Sequence, residues 1–203
     1  MEFQSFIAHI NKHITLTQAE QQLLSSKLSY RNCLKGQYLV QQGEVCLYEF
    51  FIVSGTTRTF YLDQSGQEHI IMFCIEDWWT SDMGSFITQT PADYHIQCLE
   101  NTQIIQFSRE LKEELYSEIP KLERFFRKIV ERALVASQKR IVRNLSMNAR
   151  DRYLYFKANY PAMEQRIPQY MIASYLGITK EFLSKIKSQL LQEWEQSGIY
   201  DIH

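Results

Sequence analysis

From Ile119 to Leu145 one pattern runs without interruption. Leu122, Phe125, Phe126, Ile129, Val130, Ala133, Leu134, Ile141 and Leu145 recur at i, i+3 and i+4 spacing, the period of an amphipathic helix. Pro120 suits the first turn of that helix, where its missing N–H costs nothing. At 1.5 Å per residue the helix reaches roughly 36 Å. An apolar stripe that long and broad needs two surfaces to cover it. One is the chain that precedes it; the other is the same helix of a second chain. The spacing therefore predicts a parallel dimer, with Phe126, Ile129 and Ala133 at the contact. Packing of the whole stripe inside one chain is the alternative.

The helix also separates two stretches of opposite charge, although the formal net charge is only −1. Residues 1–120 carry seven Lys/Arg against fifteen Asp/Glu, a net of −8. Residues 121–190 carry fifteen against five, a net of +10. An acidic front joined to a basic back suggests two tasks. A polyanion is the natural partner for the back. A solvated basic helix gives the same count, so the inference needs a groove-binding motif in the same region.

The front reads first as two short helices, about Phe3 to His13 and then "TLTQAEQQLLSSKL", where Thr17 and Glu20 form a capping box. From Tyr38 the texture changes. "QYLVQQGE", "LYEFFIVSG", "TTRTFYLDQSG", "QEHIIMFCI" and "YHIQCLENTQIIQFS" are short and rich in β-branched and aromatic residues. Gly36, Gly43, Gly55 and Asp63-Gln-Ser-Gly66 punctuate them. Such spacing predicts a β-sandwich or barrel, with a hairpin across residues 64–66.

Little in the front points to chemistry. Of five histidines only His69 and His95 fall in strands, and neither has a histidine neighbour. No G-x-S-x-G, H-E-x-x-H, G-x-G-x-x-G or P-loop is present. Cys33, Cys46, Cys74 and Cys98 are 13, 28 and 24 residues apart, without a C-x-x-C pair. They read as buried structural thiols rather than metal or iron–sulfur ligands. No catalytic residue, metal or cofactor is expected, and the chain does not read as an enzyme. Without a secretory pattern at the N-terminus or a run of about 20 apolar residues, a soluble, cytoplasmic protein is expected.

The groove-binding motif lies in "IPQYMIASYLGITKEFLSKIKSQL", Ile167 to Leu190. Pro168 stands where a helix begins, and Gly177 ends it at φ > 0. Thr179 caps a second helix, with Ile178 and Leu183 placed as a hydrophobic staple. Leu183, Ile186 and Leu190 face inward. Lys180, Glu181, Ser184, Lys185 and Lys187 remain outside. A small residue at Ala173, a glycine turn and a polar-basic second helix are features of a helix-turn-helix. An ordinary helical hairpin shares them, and the net +10 of the region favours DNA.

"LKGQYLVQQGE", "FFIVSGTTRTFYLDQSGQEHIIMF" and the Ile167–Leu190 segment, in that order and spacing, resemble the Crp/Fnr family of bacterial transcription regulators over nearly the whole chain. The resemblance implies an α+β fold: an N-terminal cyclic-nucleotide-binding-like β-roll of double-stranded β-helix (jelly-roll-like) form over residues 1–118, a dimerisation helix over 119–145 and a winged-helix-like helix-turn-helix over 146–203. It implies duplex DNA as partner, read by a homodimer at a near-palindromic operator, and leaves RNA polymerase open as a further one. By analogy Lys180, Glu181 and Lys185 read bases, while Thr179 and the backbone around Gln169 contact phosphates. Ser184 shares the exposed face, and Lys187 points to the flank as a phosphate anchor. A ligand-binding β-roll with a vestigial helix-turn-helix is the competing reading.

Two features depart from the family pattern. Members that bind cyclic AMP hold its phosphate with a Gly-Glu pair and, about ten residues on, an Arg-Ser pair. Here Ser81-Asp82, followed by Met83, and Ala92-Asp93 occupy those places. The resemblance thus implies a degenerate pocket that does not bind cyclic AMP, with any effector unknown. After Leu190 only thirteen residues follow, so the wing is expected to be reduced or absent.

Overall fold

The computed structural model describes residues 3–196. Two compact units divide the chain, residues 1–139 and 140–203. The first begins with α1 (Gln4–Asn11) and α2 (Gln18–Lys27). Thr17 caps α2 through the full capping box: its hydroxyl accepts from the Glu20 amide, and the Glu20 carboxylate accepts from the Thr17 amide at 2.6 Å. Eight strands follow: β1 (Tyr30–Cys33), β2 (Tyr38–Val40), β3 (Glu49–Ser54), β4 (Thr57–Leu62), β5 (Glu68–Cys74), β6 (Trp79–Thr80), β7 (His95–Cys98) and β8 (Thr102–Phe107). The helix α3 (Met83–Thr88) lies between β6 and β7, and α4 (Arg109–Glu118) follows β8.

The strands form two antiparallel four-stranded sheets, ordered β1-β8-β3-β6 and β2-β7-β4-β5. The hairpin across residues 63–67 joins β4 to β5. Alternation along the strands gives the first sheet two apolar faces. Phe50, Ile52 and Ile104 point inward to meet Ile96, Cys98 and Cys74 of the second sheet. Phe51, Ile105 and Phe107 point outward, where Phe6, Ile10, Leu24, Leu115, Leu122, Phe125 and Phe126 of the surrounding helices cover them. One tight turn admits only glycine. Gly55 has φ +100°, and a Cβ there would stand 2.5 Å from the Thr102 Oγ1.

All four cysteines are buried and unbridged, as their spacing suggested. Burial pushes the Cys74 thiol up to about 12 and Cys98 to about 11, so both stay protonated at neutral pH.

The long helix α5 runs Lys121–Ser146. Its first turns are core: Leu122, Phe125 and Phe126 are buried. From Val130 onward the stripe is open, with Leu134 59%, Ile141 57% and Leu145 84% exposed. This corrects the assignment of Phe126 to a dimer contact. Phe126 is 5% exposed. Its ring lies 5.2 Å from Trp79, 5.9 Å from Phe107 and 5.2 Å from Phe125, within its own unit. The cause is the outward face of the first sheet, which takes the start of the stripe for itself. Ile129 is half-buried and Ala133 exposed.

The second unit holds α6 (Ala149–Asn159), α7 (Pro161–Arg166), α8 (Gln169–Leu176) and α9 (Lys180–Gln196). Tyr153, Phe156, Met163, Ile172, Leu176, Leu183, Ile186 and Leu190 are its buried centre. Of the thirteen residues after Leu190, where a reduced or absent wing was expected, α9 takes those up to Gln196, and the rest lie outside the described residues.

Candidate nucleic-acid interface and effector pocket

The turn between α8 and α9 is built as its residues require. Gly177 ends α8 at φ +69°, and its amide donates to Ser174 O at 3.0 Å. Thr179 then starts α9. Its Oγ1 accepts from the Phe182 amide at 3.1 Å, and its carbonyl accepts from Leu183 N at 3.0 Å. Ala173, buried under the turn, lets the two helices approach. Arg152 of α6 holds the turn from behind. Its Nε donates to Leu176 O at 3.1 Å, and its Nη1 donates to Met147 O at 2.7 Å. A guanidinium thus satisfies one of the carbonyls that every helix C-terminus leaves open.

Three inward residues fix the orientation of α9: Leu183, Ile186 and Leu190 are buried. Opposite them Thr179, Lys180, Glu181, Ser184 and Lys185 are all exposed, on one end and one face of the helix. Lys187 behaves differently from its neighbours. It is half-buried, and its ammonium donates to Glu164 Oε1 at 3.0 Å and to Gln169 Oε1 at 3.1 Å. It braces α9 against α7 and α8, in place of the flank position expected for a phosphate anchor. Burial raises the Glu164 carboxyl, but the Lys187 ammonium outweighs that, and the group sits below the usual carboxylate range. The Gln169 side chain is engaged by the same lysine.

Sequence reading passed over two residues here. Phe182 lies in the first turn of α9, exposed among the polar residues; the inward spacing of Leu183, Ile186 and Leu190 already excluded it from the core. Arg152 could not be found that way, because its carbonyl partners belong to a different helix and a loop.

In the first unit the pocket residues come together, but around each other. Asp82 is 2% exposed and caps α3. Its Oδ1 accepts from Ser85 N at 3.0 Å, and its Oδ2 accepts from Asp93 N at 2.8 Å. Ser85 Oγ in turn accepts from Cys46 N at 2.8 Å. Ala92 is buried, its backbone paired with Gly43 and Glu44 at 2.8 Å each. Ser81 and Met83 are half-buried, and Asp93 is exposed. The amides facing this corner are held by a carboxylate of the chain itself. Among the described residues no three His, Cys, Asp or Glu side chains converge as a metal site.

A model of the cyclic nucleotide-binding domain matches residues 30–118, the two sheets with α3 and α4. Over 181 residues the chain is 25% identical to the anaerobic regulatory protein of Haemophilus influenzae, covering 83% of this chain and 67% of that one. Over 178 residues it is 26% identical to the transcriptional activator protein FnrA of Stutzerimonas stutzeri, covering 82% and 70%. The chain thus carries a cyclic nucleotide-binding domain and is similar to regulators of the Crp/Fnr type. The fold itself is matched by the structure of FixK2 from Bradyrhizobium japonicum. That match has a TM-score of 0.70 at 16% identity and covers 82% of this chain and 85% of that one.

Proposed function

We infer that this protein is a DNA-binding transcription regulator of the Crp/Fnr type and not an enzyme. The observation that carries the reading is α9. It is capped by a neutral hydroxyl, and Lys180, Glu181, Ser184 and Lys185 stand exposed on its first turns. A helix so presented enters the major groove with its N-terminal side chains against base edges. Lys185 can reach a guanine edge, and Glu181 can accept from a cytosine amino group. Thr179 and the backbone at Gln169 are suited to phosphate.

The regulator acts as a homodimer across α5. Val130, Leu134, Ile141 and Leu145 are exposed apolar residues at positions that fall on one side of the helix. Ile129 and Ala133 flank them. Two-fold symmetry then calls for a near-palindromic operator with half-site centres about 10 base pairs apart. RNA polymerase and a cytoplasmic setting belong to the same proposal. No helix among the described residues is long and apolar enough to cross a membrane.

The sensory unit does not take cyclic AMP. A phosphate needs amides and a cation, and here the Asp82 carboxylate already accepts from the amides of Ser85 and Asp93. Titration calorimetry with cyclic AMP should give no binding at tens of micromolar; a micromolar Kd overturns this. Selection from random duplex DNA, followed by salt titration on the selected operator, tests the whole reading. Salt-dependent binding to a near-palindrome is expected. Absence of any shift on DNA favours instead a ligand-binding β-roll with a vestigial helix-turn-helix.

A further inference from the structure

The exposed face of α9 is polar at every position but one in its first turns. Phe182 is 47% exposed between Glu181 and Leu183. At 100° per residue it lies about 60° around the helix from Lys185 and one turn nearer the N-terminus. Its backbone is fixed there, because its amide donates to Thr179 Oγ1 at 3.1 Å. Helical aromatic side chains lean toward the N-terminus, so the ring overlies the end of α9 that bears Lys180 and Glu181. Among the residues of this helix whose burial is described, the other exposed apolar one, Leu191, is nine residues further on and on the opposite side. Within the described part of α9, Phe182 therefore has no apolar neighbour on its own face.

We propose that Phe182 determines sequence specificity by packing against the 5-methyl group of a thymine, one per half-site. This rests on the proposed DNA reading and deepens it. The major-groove edge of B-DNA is polar except for that methyl group. A phenyl ring carried into the groove on the first turn of α9 would lose favourable contact beside any other base. Beside thymine, ring and methyl leave water together. Such a contact carries the worth of about one buried methyl group, roughly fourfold in affinity per half-site.

The test uses deoxyuridine, which differs from thymidine only in lacking that methyl. Each thymine of the selected operator is replaced in turn by deoxyuridine, symmetrically in both half-sites. Binding of the full chain and of Phe182→Ala and Phe182→Leu is then measured. The native chain should lose about fourfold per half-site at one position and little elsewhere. Phe182→Ala should bind thymine and deoxyuridine operators equally at that position, while its preferences at the other positions persist. Phe182→Leu, still apolar, should keep part of the discrimination. The inference is overturned if Phe182→Ala keeps the native thymine-to-deoxyuridine ratio, or if no thymine responds in the native chain. Those results leave the DNA reading standing. Failure of the native chain to bind any selected duplex removes both.

Discussion

Two helix N-termini in this molecule are capped in opposite ways. At α3 the cap is Asp82, a buried carboxylate that takes the amides of Ser85 and Asp93. At α9 the cap is Thr179, a neutral and exposed hydroxyl that takes one amide, with Lys180 following it. In the proposed reading both corners fall in stretches set against phosphate. A helix N-terminus attracts negative charge, and a chain that supplies its own anion leaves nothing for an external one. The charge of one capping residue therefore separates a closed corner from an open one.

The comparison breaks most visibly at Asp82. Asp82→Ala would leave the buried Ser85 amide and the part-buried Asp93 amide without an acceptor, and about 2 kcal/mol of stability should be lost. Denaturant midpoints at constant m-value measure it. A loss below about 0.5 kcal/mol would mean that water replaces the carboxylate and that the corner is not closed. The converse change is Thr179→Asp, which makes the α9 cap resemble that of α3. The fold should be kept or slightly firmed, because aspartate is a good cap. Affinity for the operator should fall by about 2 kcal/mol through repulsion of the phosphate and loss of a charge-assisted bond. Unchanged affinity would show that this N-terminus does not face the DNA backbone.

Smaller effects separate the two lysines of α9. Lys185→Ala should cost about 1.5 kcal/mol at one base pair per half-site and relax preference there. Lys187→Ala should do less. Its ammonium is held by Glu164 and Gln169. Losing that partly exposed pair should lower stability by about 0.5 kcal/mol and leave the salt slope of DNA binding unaltered. A slope reduced by one would restore Lys187 as a phosphate anchor.

How far the sequence carried depends on the range over which each feature is decided. The capping box at Thr17, the hairpin at residues 63–67 and the glycine stop at Gly177 were all legible, because each is settled within a few residues. The inward face of α9 followed from spacing alone. The helix α3 and the short α7 did not stand out, since six residues are too few for a period to show. The assignment of Phe126 failed for a different reason. The stripe on α5 is continuous in sequence, but the outward face of a distant sheet decides where its cover stops. Lys187 likewise looked outward until α7, which contributes Glu164, was placed beside it.

The open part of the α5 stripe has a consequence for dosage. Val130, Leu134 and Ile141 are about half exposed and Leu145 84% exposed among the described residues. A regulator assembled through such a surface exists as paired chains only above a threshold abundance. Below that threshold the number of pairs rises with the square of the number of chains. A twofold change in synthesis then becomes about a fourfold change in the species able to occupy both halves of an operator. The helix would turn a gradual change in expression into a steeper one in transcriptional output.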